Sequence, residues 1–315
     1  MKKAVVWLIG AFLIAACLIL SIRYFDPALI RHYLVELTRH PIWLIGMIAA
    51  YALAFVLRAV AWKWYVGRPL PFIVCLSGLL YSLLINHIVP LKVGDGFRVY
   101  VLMKEKIGWD EALHSTLVMR TLDLLILALF AGSGAVVIGY AYSISFMSLI
   151  MLIGITVTIA AAILFRTGRL RWLNKHVSML AKALSGTKGR SILVLIALSW
   201  ILEAFVLAGV VGVLGMQLGI AQAVWANSMT IAGQTFQMTP GGIGSYESVM
   251  SFSLAQIGFT WEQAYIAAIV THGFKFGFSY LAGLYVWFAY PLSWKEIRQL
   301  IQRKGKASHE KSVTV

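Results

Sequence analysis

Six apolar segments, at 4–22, 41–65, 111–142, 143–165, 191–216 and 262–290, are each long enough to cross a hydrocarbon layer that takes about 20 helical residues. A chain in that layer must satisfy its backbone polar groups without water, so only helices or a closed barrel can span it. Segments of this length select helices. Hydrophobic residues make up 60% of the 315 and charged residues only 12%, which excludes a water-soluble globular domain. The expected fold is all-α, a polytopic membrane helical bundle forming a single integral membrane domain over 1–315. Its parts are a first span with an external loop (1–40), a first repeat (41–142), a connecting span with a basic cytoplasmic loop (143–190), a second repeat (191–290) and a basic cytoplasmic tail (291–315).

The N-terminus, MKKAVVWLIGAFLIAAC, has the look of a signal peptide, but its apolar run continues through Ile22 and is read as a retained first span. Cys17 and Cys75 both lie in apolar runs without metal or redox spacing and are read as core residues. The net charge of +15 would suggest nucleic acid in a soluble protein. Here the basic residues gather in loops, so the charge is read as topology and contact with anionic headgroups, with no nucleic-acid partner. Residues 166–190 carry seven Lys or Arg and no acid, and the tail after Trp294 carries six more, which places both in the cytoplasm. Both termini are then cytoplasmic. The segment from Arg23 to His40, with Arg23, Arg31 and Arg39 against Asp26 and Glu36, is the one basic loop left outside.

Two units between the long segments share their punctuation. PLKVGDGFRVYVLMKEKIG (90–108) and PGGIGSYESVMSFSLAQIG (240–258) match at Pro90 and Pro240, Gly94 and Gly244, Ile107 and Ile257, and Gly108 and Gly258. Asp95 and Ser245 fall in the same slot, read as a helix cap. Each unit is an apolar arm, a Pro/Gly break and a second arm. Loop charges make the unit 70–108 begin and end inside and the unit 219–258 begin and end outside. The expectation is two re-entrant helical hairpins in an inverted-topology repeat, a plan common among secondary transporters. The alternative makes every arm a full span and every break a plain turn. The hairpin tips are Pro90 and Gly94 in the first unit, and Thr239, Pro240, Gly241, Gly242 and Gly244 in the second.

Ionisable residues at membrane depth are costly and mark candidate sites. Arg120 and Asp123 lie three apart on one helix face and can pair with each other; His272 and Lys275 hold the corresponding place in the second half after a slip of one or two residues. Lys275 then needs a partner from another helix, and Glu203 or Glu247 can supply it. Arg58, beside Trp62, Lys63 and Trp64, reads as an interfacial side chain reaching toward headgroups. Arg98, one turn past Asp95, is either a headgroup contact or a surface charge. Helix starts at the two breaks would favour a phosphate. No HExxH, GxSxG or paired metal-ligand spacing occurs, so no catalytic residue, metal or cofactor is expected.

PLKVGDGFR, MRTLD and TPGGIGSYE together resemble the lysylphosphatidylglycerol synthase transmembrane-region family, also called flippase-like or UPF0104 proteins, over nearly the whole chain. The resemblance departs at Asp95, where the family usually has Glu, and at His272, where relatives commonly carry Arg; the second change makes a headgroup role there pH-dependent or dispensable. The family resembles the flippase half of lysyl-phosphatidylglycerol synthases. This implies translocation of a phospholipid or polyprenyl-linked lipid across the cytoplasmic membrane of a bacterial or archaeal cell. Asp95, Arg98, Arg120, Asp123, Glu203, Glu247, His272 and Lys275 would meet the headgroup, and the partners would be anionic or phosphate-bearing lipids. No counterpart of the synthase's aminoacyl-transferase domain is seen, so synthesis of an aminoacyl lipid is not expected. An integral membrane enzyme or accessory factor in lipid-linked glycosyl or aminoacyl transfer is the alternative, and a scaffold whose buried charges only specify packing is a third.

Overall fold

A computed structural model describes residues 18–25, 27–89, 93–137, 178–181, 185–234 and 239–292. The described residues form an all-α helical bundle: α1 (Pro27–Arg39), α2 (Pro41–Val66), α3 (Phe72–Ile88), α4 (Asp95–Lys104), α5 (Trp109–Val137), α6 (Gly186–Val213), α7 (Ile220–Gly233), α8 (Ser245–Gln256) and α9 (Trp261–Ala289). A 3-10 turn at Pro240–Gly242 precedes α8. Three of these helices, α2, α5 and α6, are long and apolar enough to cross a membrane by length and composition. Helix α9 has 29 residues, about 43 Å at 1.5 Å per residue, and buries the polar side chains of Thr271, His272, Lys275 and Ser279. The expected span 143–165 lies outside the described residues, as does most of 4–22, of which 18–22 is helical.

The stretch 23–40, expected as a loop, is largely helix. Pro27 occupies the first turn of α1, where its missing N–H has no intrahelical partner to lose, and the helix runs to Arg39. Helices α2 and α6 form the most extensive pair in the bundle, and small residues allow the approach. Ala50, Ala54 and Ala59 of α2 and Ala204 of α6 are buried, and Gly209 lies against Met47.

Both breaks obey the same rule of proline sterics. A residue before proline is pushed out of the helical region, and Val89 (φ −110°, ψ 136°) and Thr239 (φ −111°, ψ 157°) are both extended. Each chain then doubles back. In the first unit Gly94 N–H donates to Asn86 Oδ1 at 2.8 Å and Ser82 Oγ donates to Asp95 at 3.2 Å. In the second, Gln234 Nε2 donates to the Gly241 carbonyl at 3.1 Å, and Gly233 lies against Val249. So α3 with α4, and α7 with α8, are helical hairpins. Their packing is crossed between halves: α3 lies on α9, and α7 lies on α5. Tyr81 Oη donates to the Tyr290 carbonyl at 3.0 Å on one side, and Trp225 fills the space beside Gly134 on the other.

The capping expectation needs correction. Gly94 and Gly244 are the N-caps; Asp95 and Ser245 are the first helical residues and make no side-chain cap. Asp95 is drawn instead toward cations of α4 and α5, while Ser245 Oγ donates to the Gly242 carbonyl at 2.8 Å. The two glycines are also needed for different reasons. Gly244 sits at φ 91°, a left-handed conformation that a side chain resists, whereas Gly94 is right-handed (φ −57°) but has no room for a Cβ against the Ser82 carbonyl and the Asn86 amide.

Gly94→Ala is therefore expected to lower stability by roughly 1–3 kcal/mol through overpacking, while Gly96→Ala, two residues on with open space around it, stays within about 0.5 kcal/mol of the parent. Thermal unfolding of the purified variants in detergent measures the difference.

Candidate functional site

Three groups of buried charges converge at the centre of the bundle. In the first, one carboxylate is shared by two cations from different helices. Glu203 of α6 accepts from Arg58 Nη2 of α2 at 2.7 Å and from Lys275 Nζ of α9 at 2.9 Å. Exposures of 3% for Glu203, 7% for Arg58 and 3% for Lys275 mean that almost no water assists. Two further donors are matched: Arg58 Nε reaches Ser199 Oγ at 3.0 Å, and Lys275 Nζ reaches Asn227 Oδ1 of α7 at 3.0 Å. The Arg58 guanidinium also lies 3.8 Å from the centre of the Trp200 ring.

The second group belongs to the first hairpin. Arg120 of α5 donates to Asp95 through Nε at 2.9 and 3.0 Å, with Nη2 2.8 Å away. Asp123, the expected partner of Arg120, forms the longer ion pair, 3.8 Å from its Nη1, and accepts a hydrogen bond from Trp200 Nε1 at 3.2 Å. The tip carboxylate wins because it approaches the guanidinium fork from in front, which an i,i+3 neighbour on the same helix cannot do. Arg98 Nε stands 3.3 Å from Asp95 Oδ1, and the side chain is buried, which removes the surface-charge alternative for it.

The third group belongs to the second hairpin. His272 of α9 has Nδ1 2.6 Å from Glu247 Oε1 and Nε2 3.1 Å from the Gly241 carbonyl. Glu247 Oε2 accepts from the Gly244 N–H at 2.7 Å, so the carboxylate also satisfies the start of α8. The Tyr246 ring stacks on His272 with centroids 4.0 Å apart.

Asp95–Arg120 and Glu247–His272 are each separated by 25 residues. Both join an acid in the first turn after a break to a base on the following long helix. The ion pairs thus equate Asp95 with Glu247, two residues on from the register of the glycines. A comparison of residue types at matched positions hides this, because the acid has moved within its helical turn while its partner moved with it.

These groups surround a polar cavity of about 120 Å³. Arg58, Arg98, Arg120, Lys275, His87 and His272 face it, with contributions from both hairpins. Four cations line the wall; of the carboxylates that hold them Glu203 lines it too, and Asp95 and Asp123 do not. Of the expected tip residues, Gly241 lines the cavity; Thr239 and Pro240 do not, the Thr239 hydroxyl donating to the Ile243 carbonyl. Pro90 lies outside the described residues. Next to the cavity, between α2, α3 and α9, runs an apolar groove of about 450 Å³, and Phe55 is a wall of both.

Sequence reasoning missed Arg58, His87, Asn227 and Trp200. Arg58 had a usable signal: it stands eight residues before the end of α2, about 12 Å from that end, too deep for an interfacial reach. Asn227 and Trp200 are uncharged and carry no such mark. Among the described residues no cluster of three or more His, Cys, Asp or Glu is placed to hold a metal ion.

Removing Glu203 strands two buried cations, whereas removing Lys275 leaves Arg58 paired. Glu203→Ala is accordingly expected to cost about 3–5 kcal/mol and Lys275→Ala clearly less. Equal losses in the unfolding midpoints of the two variants would contradict the shared carboxylate.

The family model described as Lysylphosphatidylglycerol synthase TM region matches residues 7–283. Comparison with curated proteins and with solved structures gave no match.

Proposed function

The chain belongs to that family, a membrane family associated with lipid handling, and on this footing we propose that it is a flippase-like transporter rather than an enzyme. It moves the headgroup of a phospholipid or a polyprenyl-linked lipid across the cytoplasmic membrane. The observation that carries this reading is the polar cavity at the meeting of two helical breaks, lined by Arg58, Arg98, Arg120 and Lys275. Cations at membrane depth are expensive to keep, and a fold that only needed packing would replace them with apolar side chains at little loss. A phosphate-bearing headgroup gives them work. It would take hydrogen bonds from the guanidinium groups in a space shielded from the hydrocarbon.

The crossed packing of the hairpins supports two related halves acting against each other. In this reading the hairpins enter from opposite faces, both termini are cytoplasmic, and the partners are anionic membrane lipids of a bacterial or archaeal cell. The apolar groove sharing Phe55 with the cavity would leave the tail in contact with the bilayer while the headgroup turns inward.

Purified protein in liposomes containing a phospholipid labelled on its headgroup is expected to expose the inner-leaflet pool to an outside reagent. Arg98→Gln is expected to slow this at least tenfold and Lys188→Ala, on an exposed stretch of α6, not at all. Unchanged leaflet distribution for every phospholipid and polyprenyl phosphate tried would refute the proposal.

A further inference from the structure

We propose that the His272–Glu247 pair is a proton-binding site, and that the proton it holds is carried with each singly anionic headgroup. The proposal rests on the transporter reading above and adds the coupling ion to it. It starts from what each atom of the pair can do. The Gly241 carbonyl has no proton to give, so His272 Nε2, 3.1 Å away, must donate to it. Nδ1 lies 2.6 Å from Glu247 Oε1, and the other carboxylate oxygen already accepts from Gly244 N–H. One proton therefore sits between Nδ1 and Oε1, whichever of the two atoms carries it. Without it, a nitrogen lone pair would face a carboxylate at that distance with almost no water to separate them.

The location gives that proton a mechanical role. The series Gly241 carbonyl, imidazole, Glu247 carboxylate and Gly244 N–H joins the 3-10 turn and the start of α8 to α9. Loss of the proton to water in the cavity breaks the tie in the middle. In the first half the matching place is taken by Arg120 on Asp95, a guanidinium that keeps its charge at any physiological pH. The proton-dependent release is thus confined to the second hairpin.

Charge accounting sets the stoichiometry. The groups facing His272 across the cavity are Arg58 of α2, His87 of α3, Arg98 of α4, Arg120 of α5, Glu203 of α6 and Lys275 of α9, with Tyr246 of α8 stacked on its ring. His87 Nδ1 donates to the Leu83 carbonyl at 2.8 Å and is counted as neutral. The four remaining cations stand against Asp95, Asp123 and Glu203, and the protonated pair adds nothing, so the site carries +1. With the proton gone it carries zero. A monoanionic phosphate headgroup is therefore matched only in the protonated state, and proton and anion leave together as a neutral load.

The test reads protons rather than transport. Dioctanoyl phosphatidylglycerol is added to the purified protein in weakly buffered detergent solution with a pH-sensitive dye, and bound lipid is measured in parallel. Measured over a pH series, the expected result is uptake near zero at low pH, where the lipid-free pair already holds its proton as in this structure, rising toward one proton per lipid at high pH, where the lipid-free pair has lost it; zwitterionic dioctanoyl phosphatidylcholine gives none at any pH, and Glu247→Gln and His272→Arg abolish the rise. The glutamine preserves shape if the arginine disturbs folding. Binding of the anionic lipid with no proton uptake at any pH of the series, or uptake undiminished in both variants, would overturn the proton site. Uptake driven equally by inorganic phosphate at the same concentration would assign the site to free phosphate and overturn the lipid reading instead. In liposomes, a pH gradient is expected to change the wild-type rate several-fold and to leave the ratio near one in His272→Arg; proton uptake without any translocation would sink the transporter reading while the proton site stands.

Discussion

The carboxylate of Glu203 is the point on which the bundle depends. It is held between Arg58 of α2 and Lys275 of α9, while Lys275 also reaches Asn227 of α7, so four helices from both halves meet at one acid. An arrangement of this kind is poor evidence for stability, because taking three charges out of water costs several kcal/mol each before their attraction returns it. Its value lies in specification. Any slip of α2 against α6 by one turn would leave a buried charge without its partner, so the extensive contact between these helices has a single permitted register.

Most of the bundle could be read from the chain before any coordinates. Apolar length and the pre-proline rule fix where helices run and where they must break, since both are local: Val89 and Thr239 are extended because of the next residue alone. Family membership was legible in the motifs around Asp95, Arg120 and Glu247. What escaped was pairing. Helical spacing paired Arg120 with Asp123, which does stand at ion-pair distance, but gave no sign of Asp95, which takes the hydrogen bonds, because the hairpin folds its tip onto α5 and that approach is not encoded by separation along the sequence. Arg58 was placed at an interface for the same reason: its counter-charge stands 145 residues away. Segment 23–40 was read as a loop from its charges, and α1 shows that basic residues on an exposed helix give the same composition.

The two halves use one device with different chemistry. An acid just past a break reaches a base on the next long helix, 25 residues on. In the first half the result is a pair of permanent ions, open enough for Arg120 to face the cavity; in the second it is a buried imidazole and carboxylate flanked by backbone groups of the turn. Trp200 joins the first group to the Glu203 cluster, its face on Arg58 and its N–H on Asp123. The cavity is therefore one electrostatic unit rather than three separate ones.

Phe55 separates a polar space from a groove whose lining is wholly apolar. A hydrocarbon tail lying in that groove would exchange one apolar neighbour for another, and lipid tails are as apolar as the leucines that receive them. Lengthening such a tail by a methylene would gain nothing, whereas an enclosed pocket would gain about 0.8 kcal/mol for each one buried from water. On the proposed reading, a protein built this way recognises what its cargo carries at the end and is indifferent to how long the cargo is.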